Sequence, residues 1–360
     1  MKVITVAGAR PNFIKISPLC RAFSKRQDQF QHLICHTGQH FDRNMSKVFF
    51  DALDMPEPDF NLGVGGGSHA TQTARIMVEF EKILNQEKPA LILVPGDVNS
   101  TLACSVVASK LGVRVGHVES GLRSFDRGMP EEINRIVTDV LSDMLFVSEE
   151  SGMINLKNEG IADDKVHFVG NIMIDSLVHF LPTIEKSSIH DEMGLEKGEY
   201  TLLTFHRPSN VDNGETLADL VGMLNRLSSK TQLVFPVHPR TRKNLEKYNL
   251  LKDLNSEIRL LEPIGYLDFL ALTRSSKLLI TDSGGIQEET TFLGVQCITV
   301  RDNTERPVTV TVGTNQLIGT DFNKVEKAAE EVLSGNIKAG KVPDKWDGAT
   351  AERILDIIGN

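Results

Sequence analysis

Acidic and basic residues stand at recurring places in this 360-residue chain, each directly after a short apolar run. Leu278-Leu279-Ile280-Thr281 runs into Asp282-Ser283-Gly284-Gly285-Ile286-Gln287-Glu288-Glu289, a strand leading through a small-residue turn into a helix. The first N–H groups of a helix have no intrahelical partners and carry the positive end of its dipole. Ser283, Gly284 and Gly285 leave that backbone open to an anion, a phosphate in particular. Glu288 and Glu289 follow one turn on, placed to accept hydrogen bonds from sugar hydroxyls. The segment reads as a nucleotide grip.

Other groups follow the same rule. Gly8-Ala9-Arg10-Pro11 leads to Lys15, with Pro11 suited to a first helical position and two cations beside a helix start. A solvated turn is the alternative. There is no GxGxxG, and the second strand ends in His36 instead of an acid, so dinucleotide binding is not indicated. Gly63–Ser68 lacks the GK[ST] ending of a phosphate loop and reads as a flexible turn before a helix. Asp97, in Pro95-Gly96-Asp97-Val98-Asn99, is either a turn acid or a reactive one. Glu119 emerges from the apolar strand before it, an expensive place for a carboxylate without a partner. Pro130 starts a helix whose first turn holds Glu131 and Glu132; one serves the helix dipole and at most one faces the chemistry. Asp97, Glu119 and Glu131 are expected to converge, their repulsion raising at least one pKa and supplying an acid and a base. His206-Arg207, His238 and Arg306, also after apolar runs, read as a cationic wall opposite them.

The elements that position these groups alternate. Val3–Val6, Leu33–His36, Ala90–Val94, Val113–Val118, Leu145–Val147 and Val166–Val169 read as strands, separated by helical stretches such as Met45–Leu53, Ala70–Leu84, Thr101–Lys110 and Glu131–Leu141. The habit resumes with Tyr200–Phe205, Leu233–Val237, Ile258–Leu261, Lys277–Thr281 and Cys297–Val300. Continuous apolar strands alternating with helices predict an α/β chain with parallel sheets covered on both faces. Two such series predict two doubly wound domains, 1–171 and 172–348, with a terminal helix at 349–360 packed back on the first. Ligands of such folds bind at the carboxyl ends of the strands, so a cleft between the domains is the expected site.

Composition sets the bounds. The net charge of −9 argues against nucleic acid as a partner. The four cysteines are scattered without metal-ligand spacing and read as packing residues. The N-terminal run is too short for a signal peptide and no later one spans a membrane. A cytoplasmic protein is the expectation.

The ordered set GARPNFIK, TGQH, PGDVNSTLA, HVESGLRS, PEEINR, His206-Arg207, PVHP, DSGGIQEE and RDNTERP resembles the non-hydrolysing UDP-N-acetylglucosamine 2-epimerase family, from residue 8 to about residue 320. The resemblance implies a GT-B type fold, two Rossmann-like domains around a cleft, and a homodimer. It implies interconversion of UDP-GlcNAc and UDP-ManNAc without a cofactor or metal, for surface-polysaccharide precursors. The implied route is anti elimination of UDP to 2-acetamidoglucal, then re-addition. By motif match Asp97, Glu119, Glu131 and His206 are catalytic. Arg10, Lys15, Arg135, Arg207, His238, Ser283, Gly284, Gly285, Glu289 and Arg306 hold the UDP-sugar, with Glu289 on the ribose. Gln39 and His40 match the region of an activating UDP-GlcNAc site in bacterial members.

The chain departs from the family pattern at Pro208-Ser209-Asn210. Phe41–Met45 and Arg123-Ser124-Phe125-Asp126 look more like relatives acting on modified UDP-sugars, such as UDP-2,3-diacetamido-2,3-dideoxyglucuronate. The rival readings are a GT-B glycosyltransferase, which needs an acceptor, a hydrolysing epimerase, which releases UDP, and a non-catalytic sugar-nucleotide sensor.

Overall fold

Valine, isoleucine and leucine in unbroken runs suit strands covered on both faces, and such strands form two parallel sheets in the computed structural model of this chain. It describes residues 1–38, 50 and 53–360, without the side chains of Arg10 and Pro11. Gln39, His40 and most of the helix expected at Met45–Leu53 lie outside the described residues. The chain divides into unit 1, Met1–His179 with Asp344–Asn360, and unit 2, Phe180–Pro343.

Unit 1 runs β1 (Lys2–Ala7), α1 (Arg10–Ser24), β2 (Gln31–His36), β3 (Phe60–Asn61), α2 (His69–Glu87), β4 (Leu91–Pro95), α3 (Asn99–Lys110), β5 (Arg114–Ser120), α4 (Pro130–Leu141), β6 (Met144–Val147), α5 (Glu150–Asn158) and β7 (Val166–Phe168). Helix α6 (Ile172–Glu185) crosses into unit 2. The strand order is β3-β2-β1-β4-β5-β6-β7, all parallel. Alternate residues of each strand face opposite sides. Val3, Leu91 and Leu93 pack with Leu19, Phe23 and Phe146, whereas Ile4, Val6, Ile92 and Val94 pack with Ile76, Phe80 and Val107.

Unit 2 continues with α7 (Ile189–Met193), β8 (Tyr200–Thr204), α8 (Pro208–Val211), α9 (Gly214–Ser228), β9 (Gln232–Pro236), α10 (Pro239–Lys247), β10 (Arg259–Leu261), α11 (Tyr266–Arg274), β11 (Leu278–Thr281), α12 (Gly284–Leu293), β12 (Cys297–Thr299), α13 (Pro307–Thr311), β13 (Asn315–Leu317) and α14 (Phe322–Leu333). Its order, β10-β9-β8-β11-β12-β13, repeats the Rossmann pattern of the first sheet. Leu203, Phe235 and Ile280 meet Leu217, Leu224 and Val325 on one face, while Leu202, Val234 and Leu279 meet Leu272 on the other. The order of each sheet reverses at one place, between β1 and β4 and between β8 and β11. Open α/β sheets bind ligands at the carboxyl ends of strands beside such a reversal.

The expected domain break after Asn171 differs from the observed division. The first turns of α6 carry Ile172, Ile174 and Leu177, all buried. Ser176 Oγ also donates to the Ile14 carbonyl at 2.5 Å, so that end of the helix belongs to unit 1. The last helix, α15 (Thr350–Gly359), lies in unit 1. Its first N–H groups donate to Asp175, at 3.1 Å from Thr350 and 2.7 Å from Ala351. Its Ile354 and Leu355 are wholly buried with Leu19 and Phe23. Trp346, the single tryptophan, is buried just before it and donates Nε1–H to the Ser148 carbonyl. The four cysteines are also buried, and burial pushes the thiols of Cys20 and Cys35 up to about 12. Among the described residues no helix is long and apolar enough to cross a membrane.

Truncating Ile354 to Ala should cost about 2–5 kcal/mol in unit 1. Asp356→Ala, which removes an exposed partner of Arg26, should cost less than about 1 kcal/mol. Denaturant unfolding followed by Trp346 fluorescence measures both; equal effects would contradict the docking of α15.

Candidate active site

In unit 1 the chemistry-bearing residues follow β1, β4 and β5. Pro95 is level with Val118 across β4 and β5, so Asp97 and Glu119 leave neighbouring strands at nearly the same height. Glu119 is buried, and its carboxylate is ion-paired with the buried ammonium of Lys15 on α1. Gly96 makes room for that ammonium. It has φ +68°, and a Cβ there would stand 2.9 Å from Lys15 Nζ. Asp97 is partly exposed and accepts from Arg135 Nε at 3.0 Å, while Asn134 Nδ2 holds its carbonyl at 2.8 Å.

The adjacent glutamates of α4 divide their work. Glu132 is buried; it accepts from the Ser124 N–H and hydroxyl, both at 3.0 Å, and from the Phe125 N–H at 2.8 Å, and pairs with Arg135. Glu131 is half-buried and lies four residues before Arg135, on the same helical face. The expected cluster of mutually repelling carboxylates is therefore corrected. Glu119 and Asp97 each meet a cation, because a carboxylate without water is tolerated only when paired. The positive charges of Lys15 and Arg135 rest on these acids.

In unit 2, Asp282 leaves β11 fully buried. Its carboxylate accepts from the backbone N–H of His206 at 3.0 Å and of Arg207 at 2.9 Å, and from Asn210 Nδ2 at 3.1 Å. His206 Nδ1 lies 2.9 Å from it. Burial opposes this charge, but the His206 ring and these donors hold the carboxyl below its ordinary range. The His206 ring is thereby fixed with Nδ1–H toward Asp282, leaving Nε2 as its second polar atom. Arg207 Nε donates to the Asp282 carbonyl at 3.0 Å. The His238 ring stands 5.4 Å from that of His206, and its Nδ1 accepts from the Arg240 N–H. Burial, then the neighbouring His206 and Arg240, lowers its pKa.

Ser283 and Gly284 open α12 without a side-chain cap. A Cβ on Gly284 would stand 2.7 Å from Glu305 Oε1 and 3.0 Å from an Arg306 nitrogen, so glycine is required by that ion pair as well as by an open backbone. Arg306 pairs with Glu305 and, at 2.8 Å, with Glu288, so the expected cationic wall is offset there by two acids. Glu289 is buried and accepts from the Tyr266 hydroxyl at 2.9 Å. Burial, with Glu288 beside it, pushes its carboxyl up to about 8 against the opposing Tyr266 bond.

Sequence reasoning passed over Asp282, Glu132 and Tyr266. The rule that singled out Glu119, an acid at the end of a buried strand, also applies to Asp282. No local signal joins Tyr266 to Glu289. The side chain of Arg10 lies outside the description. Among the described residues no His, Cys, Asp and Glu form a metal-holding group of three or more.

Two Rossmann-type sheets, one ending in paired carboxylates and the other in an open helix start with two acids, define the class as an α/β protein built for a nucleotide-linked substrate. The family model described as UDP-N-acetylglucosamine 2-epimerase matches residues 22–359, and the chain belongs to that family. It is 44% identical over 366 residues to a UDP-N-acetylglucosamine 2-epimerase of Methanocaldococcus jannaschii, covering 99% of both chains. It is 41% identical over 341 residues to a UDP-2,3-diacetamido-2,3-dideoxy-D-glucuronate 2-epimerase of Pseudomonas aeruginosa, covering 94% of each. The crystal structure of a Methanocaldococcus jannaschii UDP-GlcNAc 2-epimerase in complex with UDP-GlcNAc and UDP is similar, with a TM-score of 0.91, 44% identity and 99% coverage of both chains.

The raised Glu289 carboxyl has a consequence for stability. A carboxyl that holds its proton more tightly when folded loses stability as pH rises from its unfolded value of about 4.5 to about 8. Glu289→Gln should therefore gain stability over the native chain across that window and level off above it, by a few kcal/mol at most. Thermal unfolding at pH 5, 7 and 9 measures this; a difference independent of pH would contradict it.

Proposed function

We propose that the protein is a non-hydrolysing 2-epimerase that interconverts UDP-GlcNAc and UDP-ManNAc without a cofactor, as an isomerase serving surface-polysaccharide precursors. The observation that carries the reading is Glu119, a buried carboxylate at the end of β5, held on Lys15 of the helix that follows β1, a strand of the first sheet's reversal. Family membership supports the same reaction.

The C2–H bond has no adjacent carbonyl, so a carboxylate alone removes that proton poorly. Breaking the C1–O bond first sends its electron pair to UDP and leaves C1 oxocarbenium-like. C2–H then becomes acidic, a carboxylate takes the proton, and the C1=C2 bond forms. Re-addition of UDP to C1 with a proton delivered to the other face of C2 gives the epimer. Glu119, Asp97 and Glu131 share the two proton transfers; their order is left open. Lys15 and Arg135 pair with Glu119 and Asp97 and hold them in place.

The turn at Ser283, Gly284 and Gly285 holds the departing phosphates by backbone N–H groups, a preorganised site for developing charge. Glu289 accepts from the ribose hydroxyls, which add donors to the one that Tyr266 supplies. His206, aligned by Asp282, presents Nε2 to the leaving group. His238, Arg207 and Arg306 line the nucleotide side. A homodimer and a cytoplasmic location accompany this reading.

A second reading keeps the reaction and changes the sugar. The 41% identity to the Pseudomonas aeruginosa enzyme favours testing UDP-2,3-diacetamido-2,3-dideoxyglucuronate beside UDP-GlcNAc. Each UDP-sugar, incubated alone in heavy water and followed by NMR, should yield the 2-epimer carrying deuterium at C2 where it is a substrate. Inversion without label rules out elimination. Accumulating UDP with free ManNAc indicates a hydrolase, and inertness without an acceptor indicates a transferase or a sensor. Asp282→Asn should lower kcat by about 100-fold by releasing the His206 ring; an unchanged kcat would remove His206 from the mechanism.

A further inference from the structure

We propose that His117 is a positioning residue that, through Asp139, holds Glu119 in its working conformation. The inference rests on the epimerase reading above and assigns a role to a buried titratable group that the mechanism does not use. In a regular strand, His117 and Glu119 would point to the same face. The pairing of β5 with β6 instead shifts register between Val118 and Ser120, and Glu119 takes φ +74°, in the left-handed region that a glutamate rarely adopts. Such irregularities re-aim side chains, and the strain persists only where the surroundings over-determine it.

The surroundings here are a closed set of hydrogen bonds that spans residue 119. On one side His117 Nδ1 lies 2.6 Å from Asp139 Oδ1. On the other side the Gly121 N–H donates to Asp139 Oδ2 at 3.1 Å, and Asn155 Nδ2 holds the Gly121 carbonyl at 2.9 Å. His117 Nε2 lies 2.8 Å from the carbonyl of Gly96, the residue before Asp97. The Gly96 N–H in turn donates to the Val118 carbonyl at 3.0 Å. One imidazole therefore ties the turn that carries Asp97 to the bulge that carries Glu119.

Both ring nitrogens face acceptors, so both must carry a proton for the set to be satisfied. His117 and Asp139 are fully buried. Arg123 completes the balance, reaching Asp139 at 2.7 Å and Glu159 at 2.6 Å. With a doubly protonated His117, the four groups carry no net charge. Neither Asn nor Gln reproduces both bonds and the charge. Without them the strained Glu119 relaxes and its carboxylate moves from its place on Lys15.

The test is the full-length His117→Asn enzyme, with Asp139→Asn as the second variant. UDP titration counts folded sites and gives Kd, because the proposed grip lies in unit 2. The proposal expects kcat per UDP-binding site to fall about 100-fold with Kd and KM kept within about threefold, the scale on which a misplacement of about 1 Å costs rate. A kcat per site within about twofold of the native value, or a loss of UDP affinity parallel to the loss of rate, would overturn it. A measurement on the native protein decides the matter if neither variant folds. In 15N-histidine spectra of the native protein, a ring with two protonated nitrogens and nuclear Overhauser contacts to Gly96 is expected, because both nitrogens face acceptors. A singly protonated His117 ring would overturn the proposal. Failure of the epimerase reading is separate: it would appear as no C2 labelling by the native enzyme and would leave this spectrum unchanged.

Discussion

A carboxylate at the end of a buried parallel strand has lost its water, and the structure at the strand ends of each unit follows from replacing that water. Asp282 solves the problem with backbone N–H groups from the segment after β8, an amide and the His206 ring. Glu119 solves it with the Lys15 ammonium. Glu132 uses the backbone of residues 124 and 125 with Arg135, and Asp139 uses His117, Arg123 and the Gly121 N–H. Each solution draws a second strand end or helix start toward the first. Breaking one partner leaves an uncompensated buried charge, which costs far more than an exposed pair would. The loops beside the sheet reversals are thus held by charge.

Glu289 is the exception, and the proposed ribose contact rests on it. It has a tyrosine hydroxyl and a neighbouring glutamate but, among the described residues, no paired cation to offset its burial, and its carboxyl is pushed up to about 8. In the proposed function a sugar diol supplies further donors. Its neighbour Glu288 is paired with Arg306, so adjacent acids on one helix turn have different tasks, as Glu131 and Glu132 do on α4.

Much of the fold was legible because its signal is local. Apolar runs at β1, β4, β8 and β11 announce parallel strands, and the proline and small-residue turns after them announce helix starts. The two sheets with their shared strand order follow. The short edge strands Phe60–Asn61 and Asn315–Leu317 were not legible, because two or three residues carry no periodicity. The candidate residues Asp97 and Glu119 stood out in the sequence because each acid comes where an apolar run ends. What the sequence concealed was pairing. Lys15 and Glu119 are far apart in the chain, as are Tyr266 and Glu289, and His206 and Asp282. Only the strand order brings each pair together. The expectation of repelling acids failed for that reason: it counted charges at strand ends without knowing which cation reached them.

In the proposed function, proton chemistry belongs to unit 1 and nucleotide retention to unit 2. The most direct test is calorimetric titration of UDP into Glu119→Gln and Glu289→Ala beside the native enzyme, with turnover measured on the same samples. The account predicts that Glu119→Gln loses about 100-fold or more in kcat while binding UDP as the native enzyme does, and that Glu289→Ala binds UDP more weakly and releases UDP and glycal during turnover. Weakened UDP binding in Glu119→Gln, or unchanged binding in Glu289→Ala, would contradict it.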